Sequence, residues 1–198
     1  SVTSVGESAF DNCQSLESVI DSRKLTSIGN YAFRDTPWLD NQQDEFVFAG
    51  NAILLRWNGN TPDVTVPFGT TAIADAFTDN YFAETVTIPD SVKQIGAYAF
   101  KDAVRLQSVN IPPYTTSIGA NAFNGCLSLN ELILPESIKT IGGNAFMNCS
   151  ALKELVIPSQ VTTISGNLAA NCTALTDVVI PAAANKFSAN AFQGSPLV

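Results

Sequence analysis

The stretch Leu129–Ala151, LNELILPESIKTIGGNAFMNCSA, decides the fold, because versions of it recur on both sides at a fixed step of 23 residues. Each version follows the pattern L-x-x-V-x-I-P, then x-x-V-x-x-I-G, then x-x-A-F-x-x-C. Three apolar columns keep this step: Leu106, Leu129, Leu152 and Leu175; Ile95, Ile118, Ile141 and Ile164; and Phe100, Phe123 and Phe146. A fixed period of this length predicts a solenoid, in which each unit buries its apolar face against its neighbours.

Each unit is predicted to have three parts. Leu132 and Leu134 alternate with variable residues, which indicates a short strand whose leucines point inward. A proline follows each such strand, where its missing N–H ends a hydrogen-bond ladder; these prolines are Pro67, Pro89, Pro112, Pro135, Pro158 and Pro181. The part with Ile138 and Ile141 predicts a short extended segment on the opposite face, and the A-F-x-x-C part predicts a helical or 3₁₀ turn.

About eight turns of 22–23 residues can be marked, and together they predict a single domain over residues 1–198. The chain begins halfway through a unit, with SVTSVGESAF, so we expect it to be a fragment of a longer protein. From Phe33 to Phe77 the step is 44 residues, so about 21 residues are inserted in the third turn. Alternating apolar residues flank the turn-forming Ala49-Gly50-Asn51, which predicts a β-hairpin insertion near residues 40–60.

The composition argues against several classes of function. A net charge of −8 and an isoelectric point near 4.3 disfavour nucleic acid as a partner. No apolar run approaches the roughly 20 residues that a membrane-spanning helix needs, so no membrane insertion is expected. The sequence contains no histidine, which is the commonest general base and transition-metal ligand, and it has no nucleophile motif. We therefore expect no enzyme, no metal site and no cofactor.

Two units, LQSVNIPPYTTSIGANAFNGC and LNELILPESIKTIGGNAFMNC, resemble the BspA-like, Treponema-type class of bacterial leucine-rich repeats. The resemblance covers essentially the whole chain. It implies a right-handed leucine-rich-repeat superhelix with a parallel concave sheet, located at the cell surface or secreted, that binds host proteins in adhesion and has no general catalytic residues. The chain departs from the pattern at Asp21-Ser22, where Ile-Pro is usual, at Leu168-Ala169, where Ala-Phe is usual, and at Phe187-Ser188, where Ile-Gly is usual.

The variable strand positions are the first candidates for recognition, because their side chains should stand out on the concave face. They form two columns: Thr85, Ser108, Glu131, Glu154 and Asp177, and beside them Thr87, Asn110, Ile133, Val156 and Val179. Carboxylates on adjacent parallel strands repel one another, so the fold gains nothing from them. Acidic and apolar side chains together suit a protein-binding patch. The alternative is that the aliphatic residues supply strand propensity and the acids supply solubility.

The aromatic residues of the insertion are the second candidates. Phe46, Phe48 and Trp57 could form a platform for a carbohydrate or for a partner protein. A hairpin folded onto the solenoid would bury them instead. The sequence thus predicts a non-catalytic scaffold for an extracellular or host protein, with a carbohydrate-binding module as the alternative.

The cysteines form a further column, with Cys126, Cys149 and Cys172 in equivalent places and Cys13 in the first turn. Neighbouring turns would bring their Cα atoms within disulfide range. The alternative is a buried stack of small thiols, and the Ala, Thr and Asn found in the same place of other turns favour it. No C-x-x-C pair or histidine supports a zinc site.

Overall fold

The computed structural model describes residues 2–20 and 23–197, and within them the chain winds as a solenoid of short parallel strands. Its elements in chain order are β1 (Ser4–Val5), β2 (Ser27–Ile28), α1 (Pro37–Asp40), β3 (Phe46–Ala49), β4 (Ile53–Trp57), β5 (Asp63–Thr65), β6 (Ala72–Ile73), β7 (Thr85–Thr87), β8 (Gln94–Ile95), β9 (Ser108–Asn110), β10 (Ser117–Ile118), β11 (Thr140–Ile141), β12 (Glu154–Val156), β13 (Thr163–Ile164), β14 (Asp177–Val179) and β15 (Lys186–Phe187). The predicted repeat solenoid is confirmed. The departure predicted at Asp21-Ser22 lies outside the described residues.

Two ladders of strands run along the solenoid. The concave ladder consists of β5, β7 and β9, followed by β12 and β14, and each of these strands ends shortly before a proline. The second ladder contains the two-residue strands at the Ile-Gly positions, such as β8, β10 and β11. The predicted strand and the predicted extended segment are therefore both present in the turns that contain β7, β9, β12 and β14. The strand predicted at Leu132 and Leu134 is wrong, because only Glu131 of that stretch forms a bridge to the preceding strand.

The A-F-x-x-C segments are hydrogen-bonded turns rather than helical ones. In a representative turn the N–H of Cys149 donates to the carbonyl of Phe146 at 3.3 Å. The flanking Asn144 and Asn148 have φ angles of 57° and 61°, in the left-handed region that asparagine tolerates better than most residues. A left-handed residue at each end prevents a helix from continuing, so the only helix in the described residues is α1. That part of the chain has no helix long and apolar enough to cross a membrane.

The phenylalanines form a continuous file through the core. The ring centroids of Phe77 and Phe100 are 4.9 Å apart, those of Phe100 and Phe123 are 5.0 Å apart, and those of Phe123 and Phe146 are 5.7 Å apart. All four side chains are almost completely buried. In the seventh turn, Leu168 is buried as well and adds volume to the layer that lacks a phenylalanine.

The insertion is the predicted β-hairpin, and it supplies one whole layer of the second ladder. Strand β3 pairs with β4 in antiparallel fashion, while β4 pairs with β6 in parallel through Ile53 with Ala72 and Leu54 with Ile73. The N–H of Trp57 then donates to the carbonyl of Ala76 at 3.2 Å. In the regular turns the phenylalanine donates the equivalent backbone hydrogen bond. Trp57 therefore continues the file of aromatic rings, with its ring centroid 5.5 Å from that of Phe77.

The hairpin is buried on both faces because it lies between two blocks of the solenoid. Val47, Ile53 and Leu55 face the core of the first two turns, which contains Phe33. Leu54 and Trp57 belong instead to the larger core of the later turns, and Phe46 and Phe48 pack against that core while half-buried. The hairpin thus divides one continuous interior into two clusters.

Three cysteines form the column of buried thiols, and none of the four cysteines is in a disulfide. The Sγ atoms of Cys126, Cys149 and Cys172 donate to phenylalanine carbonyls 26 residues earlier at 3.0, 3.1 and 3.0 Å. Burial raises the pKa of all three thiols, to about 11 for Cys172. In the last turn the hydroxyl of Ser195 takes the same role by donating to the carbonyl of Ala169 at 2.8 Å.

We expect a thiol reagent at pH 8 to modify one cysteine per folded chain quickly, and all four only after unfolding. Cys13 is exposed, whereas the other three are buried and held in the neutral form, which is not the nucleophile. The raised pKa values also make the free energy of unfolding depend on pH. The contribution of the three buried thiols is fully present below the unfolded thiol pKa of about 8.5, and it is lost as the pH rises toward the folded values. Mass spectrometry of the labelled chain, with Cys13→Ser as the control, measures this. Rapid labelling of Cys149 would contradict it.

Candidate binding face

The structure aligns nine of the ten candidate positions of the concave face in pairs across neighbouring strands, and Ile133 follows the bridged Glu131. Thr85 lies opposite Ser108, Ser108 forms a bridge to Glu131, and Glu154 lies opposite Asp177. In the second column Thr87 lies opposite Asn110, and Val156 lies opposite Val179. The intervening residues point into the core, as Leu155 does with 0% exposure. The pleat of each strand therefore delivers the variable residues to one surface.

That surface combines acidic and aliphatic side chains in its later half. Ile133 is 84% exposed, Val179 is 52% exposed and Val156 is 44% exposed. Glu131, Glu154 and Asp177 are also exposed, and within residues 2–20 and 23–197 none of them forms an ion pair. These apolar side chains are exposed, and the carboxylates beside them have no ion-pair partner among the described residues. The surface therefore suits a partner that has both apolar and basic side chains.

The concave ladder opens in the middle of this surface. Residues 131–134 join β9 only through the bridge between Ser108 and Glu131, and the sheet resumes at β12. Among the described residues, the N–H groups of Leu132, Ile133 and Leu134 donate no hydrogen bond. Backbone groups that a regular ladder would use are therefore left open to solvent or to a partner.

A groove of about 350 Å³ lies beside this opening. Four of the candidate positions line it, namely Ser108, Asn110, Glu131 and Ile133, together with prolines that include Pro135. The structure thus brings these four residues around one depression, whereas Thr85 and Thr87 lie on β7, on the far side of β9 from the groove.

Two of the candidate side chains also have structural roles. Asn110 exchanges two hydrogen bonds with the backbone of Ile88: it accepts from the N–H at 2.7 Å and donates to the carbonyl at 3.0 Å. The hydroxyl of Thr85 donates to the carboxylate of Asp63 at 2.6 Å. These bonds hold β5, β7 and β9 in register, so the earlier part of the face is more firmly fixed than residues 131–134.

Sequence reasoning placed a strand before Pro67 but did not include its outward residues among the candidates. Strand β5 pairs with β7 and extends the two columns to Asp63 and Thr65. These two residues were left out because the insertion changes the step, and Asp63 precedes Thr85 by 22 residues rather than 23. The signal that could have found them was the D-V-T-V-P stretch at residues 63–67, which fits the strand-proline pattern.

The hairpin candidates lie in a different environment from the concave face. Trp57 is 4% exposed, and its indole Nε1 donates to the carboxylate of Glu45 at 3.3 Å. Phe46 and Phe48 are half-buried against the core. The structure therefore does not gather the three rings into an exposed platform. The described residues also contain no group of three or more Cys, Asp or Glu side chains that could hold a metal ion.

Stacked turns with a parallel concave ladder, a second ladder and a file of buried aromatic rings define the class of leucine-rich-repeat solenoids. The chain belongs to the family described as BspA type leucine rich repeat region, whose model matches residues 1–43 and 70–198 in six copies. The unmatched residues 44–69 are those of the hairpin and of the strand that follows it.

Solved structures of similar chains come from bacteria. A leucine-rich cell surface protein from Faecalibacterium prausnitzii is 27% identical, with a TM-score of 0.71, over 77% of this chain and 45% of that one. The leucine-rich repeat protein of T. pallidum is 22% identical, with a TM-score of 0.63, over 72% of this chain and 83% of that one. The pneumococcal vaccine antigen PcpA is 19% identical, with a TM-score of 0.58, over 90% and 44%.

The last two similarities establish the fold alone. The chain spans less than half the length of the Faecalibacterium protein. No curated protein matches the sequence. The family and its solved structures support a scaffold for protein interaction, and nothing in them shows enzyme activity.

Proposed function

We propose that this chain is a non-catalytic binding domain of a cell-surface or secreted protein, and that its concave face holds an extracellular or host protein. The observation that carries the proposal is the later half of that face, where Glu131, Glu154 and Asp177 form no ion pairs among the described residues and lie beside Ile133 and other exposed aliphatic side chains. The partner surface that fits it is basic at its rim and apolar at its centre.

The opened ladder supports a more specific geometry. An extended segment of the partner could hydrogen-bond to the free N–H groups at residues 132–134 while its side chains enter the groove beside Ile133. Addition of a strand to an open sheet edge is a common mode of peptide recognition. The carboxylates would then attract basic residues that flank this segment.

Carbohydrate binding was the alternative suggested by the aromatic residues of the hairpin. Its support was a stacking platform that included Trp57, and burial of Trp57 withdraws that ring from solvent. The proposal therefore places recognition on the concave face.

The test is a binding screen against purified extracellular proteins, with a glycan array run in parallel, followed by two triple variants. For Glu131→Gln, Glu154→Gln and Asp177→Asn together, we expect the affinity for the selected protein to fall at least about tenfold, or 1.4 kcal/mol. The melting temperature should stay unchanged or rise slightly, since neighbouring carboxylates repel by a few tenths of a kcal/mol per pair.

The control variant carries Glu17→Gln, Asp44→Asn and Asp90→Asn, which are exposed carboxylates outside the ten candidate positions. Both variants change the net charge from −8 by +3 to −5, so a general charge effect would weaken them equally. Equal affinities of the two variants would refute the acidic face as the binding site. Selective glycan binding with no protein bound would refute the proposed function as a whole.

A further inference from the structure

A second depression, separate from the concave groove, lies where the inserted layer is incomplete. It is a cleft of about 420 Å³ between residues 31–35 of the second turn and residues 75–82. After Trp57 the chain turns away toward β5, so the inserted layer has a strand in the second ladder but no A-F-x-x-C turn of its own. The cleft occupies the place that this missing turn would fill.

The width of the cleft is fixed by contacts that reach across the missing turn. In regular turns the N–H at this place donates to a backbone carbonyl of the next turn, as Tyr98 does to Ala120 at 3.0 Å. Here the N–H of Tyr31 donates to the Asp75 carboxylate at 2.8 Å, across a step of 44 residues. The Tyr31 ring also lies 5.0 Å from the ring of Tyr98. The cleft is therefore a built feature of the fold rather than a gap between loose loops.

The charges around the cleft are predominantly negative. Asp35, Asp75 and Asp79 line it, along with the side chains of Arg34 and Arg56. Both arginines already have carboxylate partners, since Arg34 pairs with Asp11 at 2.7 Å and Arg56 pairs with Asp40 at 3.1 Å. Arg34 also lies 3.6 Å from Asp35. Lys101, whose charge acts on Tyr31 and Asp79, is paired with Asp102. Six carboxylates against three cationic groups leave a formal charge of −3. Burial also raises the pKa of Asp75, because the buried carboxylate has lost water that would stabilise its charge. A bound cation would compensate for this loss.

Aromatic rings form the rim of the same cleft. Tyr81 is 58% exposed and Phe82 is 50% exposed, and both line the opening. One wall already holds a guanidinium over an aromatic face, because the Cζ atom of Arg34 lies 4.3 Å from the centre of the Tyr31 ring. Rings next to carboxylates attract a cation through both the ring quadrupole and the opposite charge.

We propose that this cleft binds the side chain of an arginine or lysine on a partner protein, with the cationic group at Asp75 and Asp79 and the aliphatic stem against Tyr81 and Phe82. The volume accommodates such a side chain together with its flanking backbone. The site does not depend on the concave face, so the two proposals can fail independently.

The test uses the chain of 198 residues and three capped tripeptides, Gly-Arg-Gly, Gly-Lys-Gly and Gly-citrulline-Gly. Citrulline has the shape of arginine without the charge. We expect the arginine and lysine peptides to shift the amide NMR signals of residues 31–35 and 75–82 with dissociation constants of about 1 mM, a typical scale for one small contact. The citrulline peptide should bind at least about tenfold more weakly, since it lacks the charge that the carboxylates attract.

Two variants locate the contact. Asp79→Asn removes one carboxylate and suits the left-handed backbone at this position, where φ is 56°, so the fold should be retained. It should weaken the arginine peptide by about fivefold, and Phe82→Ala should do so by about twofold, given the usual size of such contacts. Asp90→Asn, an exposed carboxylate elsewhere, is the matched control and should change nothing. Equal binding of citrulline and arginine, or shifts outside the cleft, would overturn the proposal.

Discussion

Replacing Phe100 with alanine is expected to lower the free energy of unfolding by about 3–5 kcal/mol, the usual cost of truncating a buried phenylalanine. Phe100 is 0% exposed, and its ring stacks on Phe77 at 4.9 Å and on Phe123 at 5.0 Å. The substitution therefore leaves a cavity with an aromatic ring on either side. Because each turn is stable only through its neighbours, the damage should spread to adjacent turns.

The measurement is equilibrium unfolding in urea followed by circular dichroism and by tryptophan fluorescence. Phe68→Ala is the control, since Phe68 is 93% exposed and its loss should cost less than about 0.5 kcal/mol. Similar losses for the two variants would show that the file of rings does not carry the stability of the solenoid.

Gly142→Ala is expected to destabilise the chain by about 3 kcal/mol, the upper end of the range for overpacking. A Cβ atom on Gly142 would lie 2.3 Å from the backbone N of Ala120 and 2.7 Å from the carbonyl carbon of Gly119. Both contacts are with backbone, which cannot rotate away as a side chain can. The turns can stack at this distance, with the N–H of Gly142 donating to Ile118 at 2.9 Å, because the residue has no side chain.

The neighbouring glycine offers a matched control. A Cβ atom on Gly143 would meet only the carbonyl oxygen of Gly166, at 3.3 Å, so Gly143→Ala should cost less than about 1 kcal/mol. Thermal unfolding of the two variants, which differ by one position, separates backbone contact from any general effect of alanine. A larger loss at Gly143 than at Gly142 would contradict the stacking shown by the structure.

Ser165 occupies the place of Gly142 one turn later in the sequence and shows what a side chain does there. Its hydroxyl donates to the carbonyl of Ile141 at 2.7 Å, in the position where regular turns use a backbone N–H. At this point β11 and β13 are not paired, and the second ladder is interrupted. The missing glycine does not by itself predict the break, because β13 pairs with β15 although Ser188 replaces the glycine there. The sequence also does not show that the concave ladder opens in the same region.

The concave face and the hairpin differ in how much of each could be predicted from the sequence. The ten concave positions followed from the strand period, because alternate residues of a strand must point to opposite faces. The groove beside Ile133 did not follow, since it depends on how far residues 131–134 separate from β9. For the hairpin, the alternation of apolar residues predicted its strands but could not say that both of its faces would be covered.

The sequence by itself determined the period, the strand and proline positions, the buried columns and the class of repeat, because a solenoid is built from contacts between equivalent residues of successive units. The tertiary structure alone decided that the hairpin replaces a layer of the second ladder, that Trp57 joins the file of phenylalanines, and that a cleft remains where the layer lacks its last turn. These features depend on contacts between residues that are not equivalent, such as Tyr31 with Asp75, so no column of the repeat records them.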